Sequence, residues 1–238
     1  MSLPPSLSAV LPAYNEAGAI AATVTELAAT LRASGIAAWE IIVVDDGSTD
    51  ATADRCQALQ AAIPSFRIVS HPRNRGYGAA LCSGFTAARG EAILLMDSDG
   101  QFDPHDLHLL TARWGEGTVV CGERVHRADP LPRRLNHWLF FGLVRLLLGP
   151  TARDVNCGFK LMPRAVGQGL CADGAVISTE LLVRARRDGH PVVDVPVSHR
   201  PRLTGQPTGA RIGVILHAFV ELWELRRRLA RGAEPSSA

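Results

Sequence analysis

Two aspartates, Asp97 and Asp99, directly follow the apolar run Ala92–Met96 and are separated by one residue. Side chains at alternate positions of an extended chain point to the same side, so both carboxylates can face one ligand. Carboxylates this close raise each other's pKa unless a cation lies between them. Hard divalent ions such as Mg²⁺ take carboxylate and phosphate oxygens as ligands. The spacing therefore predicts a metal–diphosphate site, with a polar turn capping a helix near Pro104 as the alternative.

The composition is that of an ordinary globular protein. The 238-residue chain is 47% hydrophobic and 20% charged, which allows one large domain with a sizeable core. The formal net charge of +2 predicts nothing about nucleic acid, and no basic run with interleaved aromatic residues appears, so no nucleic-acid partner is expected. Five cysteines without C-x-x-C spacing indicate reduced thiols and a cytoplasmic location. Neither a signal peptide nor an apolar stretch of ~18 residues is recognised, so we expect a chain that does not itself cross a membrane.

Short aliphatic runs alternate with alanine-rich segments along the chain. The aliphatic runs predict strands at Leu7–Leu11, Glu40–Val44, Phe66–Val69, Ala92–Met96, Thr118–Cys121 and Val192–Val197. The segments between the first four predict helices at Ala17–Ala33, Thr49–Ala62 and Gly78–Arg89. Strand–helix–strand succession of this kind is typical of right-handed βαβ units. The sequence therefore predicts the α/β class, with a mainly parallel sheet flanked by helices.

Polar turns follow each of the first four predicted strands. Ligands of open α/β sheets bind beyond the carboxyl ends of the strands, so we expect these turns to lie together. Taken singly, Asn15 and Ser48 are helix-capping residues, and the Asn74–Gly76 segment is a plausible turn. An acid at a strand end, such as Asp45 or Asp46, can also hydrogen-bond a nucleotide base or ribose. The clustering of all four turns favours a ligand site over separate caps.

Four motifs, in this order, resemble those of the family 2 glycosyltransferases with the Rossmann-like GT-A fold. They are Pro12-Ala13-Tyr14-Asn15-Glu16, Asp45-Asp46-Gly47-Ser48-Thr49-Asp50, Asn74-Arg75-Gly76-Tyr77-Gly78 and Asp97-Ser98-Asp99-Gly100-Gln101. The pattern is most similar to the dolichol-phosphate mannose synthase-like subgroup, the polyprenyl-phosphate glycosyltransferases. The motifs cover the first half of the chain, and the second half also fits this subgroup.

The resemblance implies a nucleotide-sugar donor, GDP- or UDP-hexose, bound together with Mg²⁺ or Mn²⁺. By position, the implied metal ligands are Asp97, Asp99 and Gln101. The implied donor-binding residues are Pro12, Ala13, Tyr14, Glu16, Val44, Asp45, Asp46, Ser48, Asn74 and Gly76, together with Arg202 in a loop expected to close over the diphosphate. The chemistry agrees, because a divalent ion stabilises the charge that develops on a departing nucleoside diphosphate.

Arginines in the second half resemble those with which the family binds the phosphate of a lipid acceptor. Arg124 matches best, although Glu123 departs from the Gly-Ser-Arg common in relatives, and Arg133 and Arg134 are further candidates. Arginine suits this role because its planar fork matches phosphate geometry. A solvated face or a surface ion pair is the alternative for Arg133 and Arg134.

Two further acids complete the implied catalytic set of Asp97, Asp99, Arg124, Asp154 and Glu180. Asp154 opens the segment that ends in Gly158-Phe159-Lys160 and lines the acceptor side in relatives, where it would orient the acceptor or an arginine. Glu180 matches an acidic position on a helix that opens at Ser178. A turn-forming role for Asp154 and a helix-dipole role for Glu180 are the alternatives.

The implied function is metal-dependent, inverting transfer of a hexose to a polyprenyl phosphate of the dolichyl or undecaprenyl type, at the inner face of the membrane. A phosphate monoester is substantially anionic at neutral pH because its second pKa is ~6, so it needs no strong base. One alternative keeps the donor chemistry with a soluble small-molecule or glycan hydroxyl as acceptor. A nucleotidyltransferase is disfavoured because Pro12–Glu16 lacks a Gly-rich basic loop, and a non-catalytic relative is disfavoured by the intact metal motif.

The predicted organisation has a glycosyltransferase domain over residues 1–205, divided into a nucleotide-sugar half (1–115) and an acceptor half (116–205). A flexible loop and an amphipathic helix are predicted for 206–231, and a disordered tail for 232–238. The helix carries an apolar stripe that includes Phe219, Leu222 and Trp223, followed by three arginines. Such a stripe can join the core, form a homodimer contact or lie on a membrane surface, and the sequence leaves these open.

Overall fold

The computed structural model describes residues 3–115, 117–125, 142, 148–149, 152–170, 174, 176–201 and 222–227. In these ranges one sheet is formed by β1 (Ser6–Ala13), β2 (Ala38–Asp45), β3 (Phe66–Ser70), β4 (Ala92–Met96), β5 (Val119–Arg124), β6 (Phe159–Pro163) and β7 (Val192–Val197). The α-helices are α1 (Ile20–Ala33), α2 (Thr52–Ala62), α3 (Tyr77–Ala87), α4 (Leu107–Thr111) and α5 (Ile177–Arg187). Short 3₁₀ helices cover Pro104–Asp106 and Arg164–Gly167, and residues 222–227 are helical. Every strand and helix predicted in the described ranges is present, with ends shifted by a few residues.

The strand order in the sheet is β3-β2-β1-β4-β6-β5-β7. Strand β1 pairs in parallel with β2 and β4, β2 with β3, and β5 with β7. Strand β6 is antiparallel to both β4 and β5, which are therefore parallel to each other. The carboxyl ends of the six parallel strands and the amino end of β6 consequently share one side of the sheet, which we call the carboxyl edge.

Strand β6 is the element that the sequence analysis does not assign. It lies between β4 and β5, and its first four residues are buried. Its second residue, Lys160, is fully buried, and its Nζ donates to the carbonyl oxygen of Cys157. Lysine is almost never fully buried unless it has a partner, so a charged residue in a short apolar run hides a central strand from a hydrophobicity pattern.

Apolar side chains cover both faces of the sheet. One face packs against α1, α2 and α4, with Leu11 and Leu94 in that core cluster, and the other packs against α3 and α5, with Val10 and Leu95. Burial of both faces is the normal condition for parallel strands joined by helices. The strands are thereby held rigidly, and polar side chains that follow them are presented at the carboxyl edge.

The described residues bear on two expectations, the absence of a membrane-spanning helix and the reduced state of the cysteines. Among the described residues, no helix combines the length and apolar character needed to cross a bilayer. Cys56, Cys121 and Cys157 are free thiols, and burial raises the pKa of Cys121 to about 12 and that of Cys157 to about 11. The thiols of Cys121 and Cys157 therefore stay protonated at neutral pH.

Candidate active site

The loop that carries the two aspartates leaves β4 at the carboxyl edge. The backbone N–H of Asp97 donates to the carbonyl oxygen of Gly158 over 3.0 Å, which extends the pairing of β4 with the start of β6. The Ser98 hydroxyl donates to the carbonyl oxygen of Pro12 over 2.7 Å, and the Thr23 hydroxyl donates to the Ser98 carbonyl oxygen over 3.3 Å. The loop is thus tied to β1, to α1 and to the start of β6.

Asp97 and Asp99 form an electrostatically strained pair. Asp97 is half-buried and Asp99 is buried. Burial raises the pKa of Asp97 to about 6, and the nearby charge of Asp99 adds to this. One oxygen of Asp99 accepts the backbone N–H of Gln101 over 3.0 Å. Two carboxylates and an amide oxygen within five residues make an oxygen-only donor set, which fits Mg²⁺ or Mn²⁺ and lets the cation relieve the repulsion.

Two neighbours define where the Asp97 carboxylate lies. The Tyr77 hydroxyl donates to Asp97 Oδ1 over 3.1 Å. A Cβ atom at Gly158 would lie 2.0 Å from Asp97 Oδ2, so only glycine lets the start of β6 pass this close to the carboxylate. Both residues lie in segments that resemble family motifs, and the resemblance implies a role for neither. Their contacts join residues 20 and 61 positions apart in the chain, and no local pattern reports such contacts.

The turns after β1 and β2 are bonded to each other. The Asn15 N–H donates to Ser48 Oγ over 3.0 Å, and Asn15 Oδ1 accepts the Thr49 N–H over 2.8 Å. Asn15 adopts a left-handed φ of 57°, a conformation that asparagine tolerates better than most residues. The Ser48 N–H donates to Asp45 Oδ1 over 3.0 Å. Asn15 and Ser48 therefore hold the two turns in register. The sequence by itself offers them only a helix-capping role, and these bonds between the turns go beyond it.

The remaining residues expected to bind the donor lie at or beside these turns. Pro12, Ala13 and Val44 are buried at the ends of β1 and β2, and Tyr14 is 42% exposed. Glu16 is half-buried, and its N–H donates to the Thr52 hydroxyl over 2.9 Å. Tyr14 and Asn74 thus present exposed side chains at the carboxyl edge. The buried strand-end residues can contact a ligand there only through backbone atoms.

Asp46 is buried and bonded within the protein. Its Oδ1 accepts the Arg75 N–H over 2.9 Å, and its Oδ2 accepts the Gly76 N–H over 2.8 Å. His71 Nδ1 lies 2.6 Å from Oδ1, and His71 Nε2 lies 2.8 Å from Ser83 Oγ. The carboxylate therefore holds the turn between β3 and α3 in place, an arrangement that the sequence analysis does not foresee.

Arg124 and Asp154 form a bidentate ion pair at the end of β5. Arg124 Nε and Nη2 donate to the two Asp154 oxygens over 2.7 and 2.9 Å, and the side chains are 16% and 5% exposed. Burial alone would lower the pKa of Arg124, but the Asp154 carboxylate raises it above its usual range. From sequence, Asp154 could orient either the acceptor or an arginine, and in the structure it binds an arginine. The pair uses two of the five guanidinium N–H groups.

Glu180 lies buried in the first turn of α5, with an oxygen 3.6 Å from Arg184 Nη1. Helix α5 packs on β7 and leads by a short turn into the amino end of that strand. Its first turn therefore points back toward the carboxyl edge.

Arg133, Arg134 and Arg202 lie outside the described residues, as do the tail 232–238 and most of 206–231. In the described part of the predicted helix, Leu222 is buried and Trp223 is 54% exposed, as expected for an amphipathic segment.

Arg200 connects the loop after β4, residues 97–103, to the segment that follows β7. Its backbone N–H donates to the Gln101 carbonyl oxygen over 2.7 Å, and the Gln101 side chain donates back to the Arg200 carbonyl oxygen over 3.3 Å. Its guanidinium binds both Glu26 oxygens over 2.9 Å and an Asp103 oxygen over 2.7 Å. Glu26, Asp103 and His105 also have metal-ligand atoms close together, but Arg200 already supplies a cation to both carboxylates.

The fold is an α/β domain of the GT-A type, with the candidate site at its carboxyl edge. The family model described as Glycosyl transferase family 2 matches residues 8–169. The chain belongs to this family, as its motifs predict.

Three relatives illustrate the similarity within the family. Dolichyl-phosphate beta-glucosyltransferase from Saccharomyces cerevisiae is 30% identical over 220 residues, covering 81% of this chain and 66% of the yeast protein. Glycosyltransferase AglD from Haloferax volcanii is 36% identical over 207 residues, covering 82% of this chain and 33% of AglD. Dolichol-phosphate mannosyltransferase from Mycosarcoma maydis is 31% identical over 240 residues, covering 93% and 80%. The chain therefore spans just under two thirds of the yeast relative and one third of AglD.

Solved structures confirm the fold. Glucosyl-3-phosphoglycerate synthase from Mycobacterium tuberculosis in complex with Mn²⁺, UDP and phosphoglyceric acid has a TM-score of 0.74 at 23% identity, covering 93% of this chain and 78% of that one. Mannosyl-3-phosphoglycerate synthase from Rubrobacter xylanophilus has a TM-score of 0.72 at 19% identity, covering 98% and 78%. The predicted GT-A architecture is therefore confirmed.

Proposed function

We propose that this protein is a metal-dependent, inverting hexosyltransferase that transfers the sugar of a GDP- or UDP-hexose to a polyprenyl phosphate at the cytoplasmic face of a membrane. The observation that carries the proposal is the placement of Asp97 and Asp99 beside the interlocked turns of β1 and β2, with the Arg124–Asp154 pair at the same edge. The names of the dolichyl-phosphate relatives support the acceptor class.

The donor would be held at the turns after β1, β2 and β3. Asp45 at the end of β2 supplies a carboxylate for base or ribose, and the exposed ring of Tyr14 supplies an aromatic face. Asp97, Asp99 and Gln101 would hold Mg²⁺ or Mn²⁺ against the diphosphate. The bound ion would stabilise the negative charge that develops on the departing nucleoside diphosphate.

The acceptor phosphate would be held by Arg124. Asp154 fixes the guanidinium through two hydrogen bonds, so less side-chain entropy is lost when the remaining N–H groups bind a phosphate. An oxygen of the acceptor phosphate then attacks the anomeric carbon as the bond to the nucleoside diphosphate breaks, and the configuration inverts. Because the acceptor is already anionic, this step needs no general base from the protein.

A soluble acceptor is the second candidate. The same M. tuberculosis synthase solved with phosphoglyceric acid has a TM-score of 0.70 and is 25% identical to this chain. The name of that synthase describes a product in which glucose is joined to phosphoglycerate, a small phosphorylated molecule. The Arg124–Asp154 geometry suits any phosphate-bearing acceptor, so the acceptor class is decided by assay.

The test is radiolabelled transfer by purified protein with Mn²⁺ or Mg²⁺ and a panel of nucleotide-sugars. A short polyprenyl phosphate and phosphoglycerate serve as parallel acceptors. We expect acid-labile label in the organic phase, abolished by chelation and by Asp99→Ala with unchanged thermal unfolding. If label appears only in the phosphoglycerate reaction, the acceptor is a soluble phosphorylated molecule and the lipid-acceptor proposal is wrong. Turnover retained by Asp99→Ala with added Mn²⁺ would refute the metal assignment.

A further inference from the structure

We infer that Tyr77 is a positioning residue for the metal ligand Asp97, and that a buried hydrogen-bonded chain through Ser83, His71 and Asp46 fixes the turn that carries Tyr77. The inference rests on the proposed function, because it treats Asp97 as a ligand of the donor-bound metal. It assigns a role to Tyr77, which lies in the third motif without one, and to His71 and Ser83, which lie outside the four motifs.

The first step is the contact between Tyr77 and Asp97. Tyr77 is the first residue of α3, and its hydroxyl donates to Asp97 Oδ1 over 3.1 Å. A carboxylate oxygen has two lone pairs, so Oδ1 can accept this bond and still face a cation. Rotation of the carboxylate about its Cβ–Cγ bond breaks the hydrogen bond. Tyr77 therefore restricts Asp97 to one orientation before the metal arrives.

The second step concerns the backbone that precedes Tyr77. The N–H groups of Arg75 and Gly76 both donate to the Asp46 carboxylate, over 2.9 and 2.8 Å. Gly76 has a φ of 99° and directly precedes the helix, so this residue sets the direction in which α3 begins. Charge-assisted bonds to two successive amides are stronger than neutral ones. The position of Tyr77 is therefore determined by the Asp46 carboxylate.

The third step is the support of Asp46 itself. His71 Nδ1 lies 2.6 Å from Asp46 Oδ1, and His71 Nε2 lies 2.8 Å from Ser83 Oγ, with His71 8% and Asp46 3% exposed. Because the Asp46 carboxylate accepts, His71 Nδ1 is the donor in this contact, and Nε2 pairs with the Ser83 hydroxyl. Ser83 lies in α3, six residues after Tyr77. The bonded chain thus runs from α3 to His71 just after β3, to Asp46 just after β2, and back to the start of α3.

The consequence is a physical connection between the nucleotide side of the site and the metal side. Asp46 follows β2, where the donor's nucleoside is expected, and Asp97 follows β4. Partners that orient a metal ligand contribute to metal affinity even though they do not touch the ion. Loss of either Tyr77 or the His71 support should therefore weaken metal binding in the same way.

The experiment measures Mn²⁺ binding by electron paramagnetic resonance on the whole protein, with UDP or GDP present, independently of transfer. We expect Tyr77→Phe to weaken Mn²⁺ binding about tenfold without a change in thermal unfolding. His71→Leu should show a similar loss. Ser83→Ala, which removes only the far end of the chain, should show the same effect to a smaller degree and remains informative if His71→Leu does not fold.

A matched control and a double variant separate positioning from general damage. His71→Asn places an amide nitrogen near the position of Nδ1, keeps the bond to Asp46, and should bind Mn²⁺ almost as the unaltered protein does. If His71 acts through Tyr77, His71→Leu should add less than twofold to the loss already present in Tyr77→Phe.

Unchanged Mn²⁺ affinity in Tyr77→Phe, or losses that multiply fully in the double variant, would overturn the inference while the proposed function stands. Absence of Mn²⁺ binding by the unaltered protein with either nucleotide would overturn the proposed function, and this inference with it.

Discussion

Gly158→Ala is the substitution whose effect the structure specifies most directly. The added Cβ would lie 2.0 Å from Asp97 Oδ2, 2.2 Å from Cγ and 2.4 Å from Oδ1. Real Cβ atoms essentially never approach another atom within 3.0 Å, so the carboxylate must move by at least 1.0 Å (3.0 minus 2.0). The φ of Gly158 lies outside the left-handed region, so alanine can adopt this backbone conformation without strain. The cost of the added methyl group therefore comes from its contact with Asp97.

The movement falls on the Asp97 side chain because the backbones are held together. The Asp97 N–H donates to the Gly158 carbonyl oxygen over 3.0 Å, at the start of the central strand β6. A displacement of about 1 Å in a site residue costs on the order of 10²-fold in rate. The half-buried carboxylate can swing outward, so we expect the free energy of unfolding to fall by only about 1 kcal/mol, the lower end of the range for overpacking.

The assay compares transfer rate, Mn²⁺ affinity and urea unfolding for Gly158→Ala and for Gly142→Ala. Gly142 is exposed, helical and has no described atom within 4 Å of an added Cβ, so its substitution should leave the transfer rate and Mn²⁺ affinity unchanged and should not lower the free energy of unfolding, because alanine favours a helix over glycine. A Gly158→Ala protein with a transfer rate within about threefold of the unaltered protein would refute the reasoning, because the 1.0 Å displacement of Asp97 would then have no consequence for the reaction.

Three further predictions concern ion pairs. Arg124→Lys keeps the charge but loses the two-point contact with Asp154, so the acceptor KM should rise about tenfold in steady-state assays while the donor KM is unchanged. Arg200→Gln removes the cation from its two carboxylate partners, and because the pair is partly exposed, urea unfolding should show a loss of about 1 kcal/mol. Burial alone would raise the pKa of Glu40, but hydrogen bonds from Ser8, the Arg89 backbone and Arg67 hold it below 4.5. Glu40 therefore stabilises the fold above that pH and loses this contribution as pH falls through its lower folded pKa, so Arg67→Gln should destabilise the protein at neutral pH and progressively less as the pH falls below 4.5. Destabilisation by Arg67→Gln that does not decrease as the pH falls would contradict the assignment.

Local patterns predict most of the parallel half of this fold. The strands from β1 to β4 are short aliphatic runs, and the helices between them are apolar on the face that meets the sheet, so each element is visible within its own segment. The aspartates after β4 are visible for the same reason, because a strand and the turn that follows it are adjacent in sequence. These features depend on side-chain spacing alone.

The second half is less visible because its elements depend on distant partners. Strand β6 contains a fully buried lysine and pairs antiparallel between β4 and β5, an insertion that no periodicity within Phe159–Pro163 indicates. That insertion brings Gly158 against Asp97. The pairing of Arg124 with Asp154 spans 30 residues, and that of Arg200 with Glu26 spans 174.

The motif spacing is therefore sufficient to identify the family, and it predicts a metal-ligand pair and the turns of a donor site. The supports of that site, Tyr77, Gly158 and the chain through His71, come from the packed arrangement of the strands. Residue types and spacing specify which groups follow each strand, because that information is local. The neighbour that each group meets depends on strand order and direction, which are set by the burial of the whole sheet between its two layers of helices.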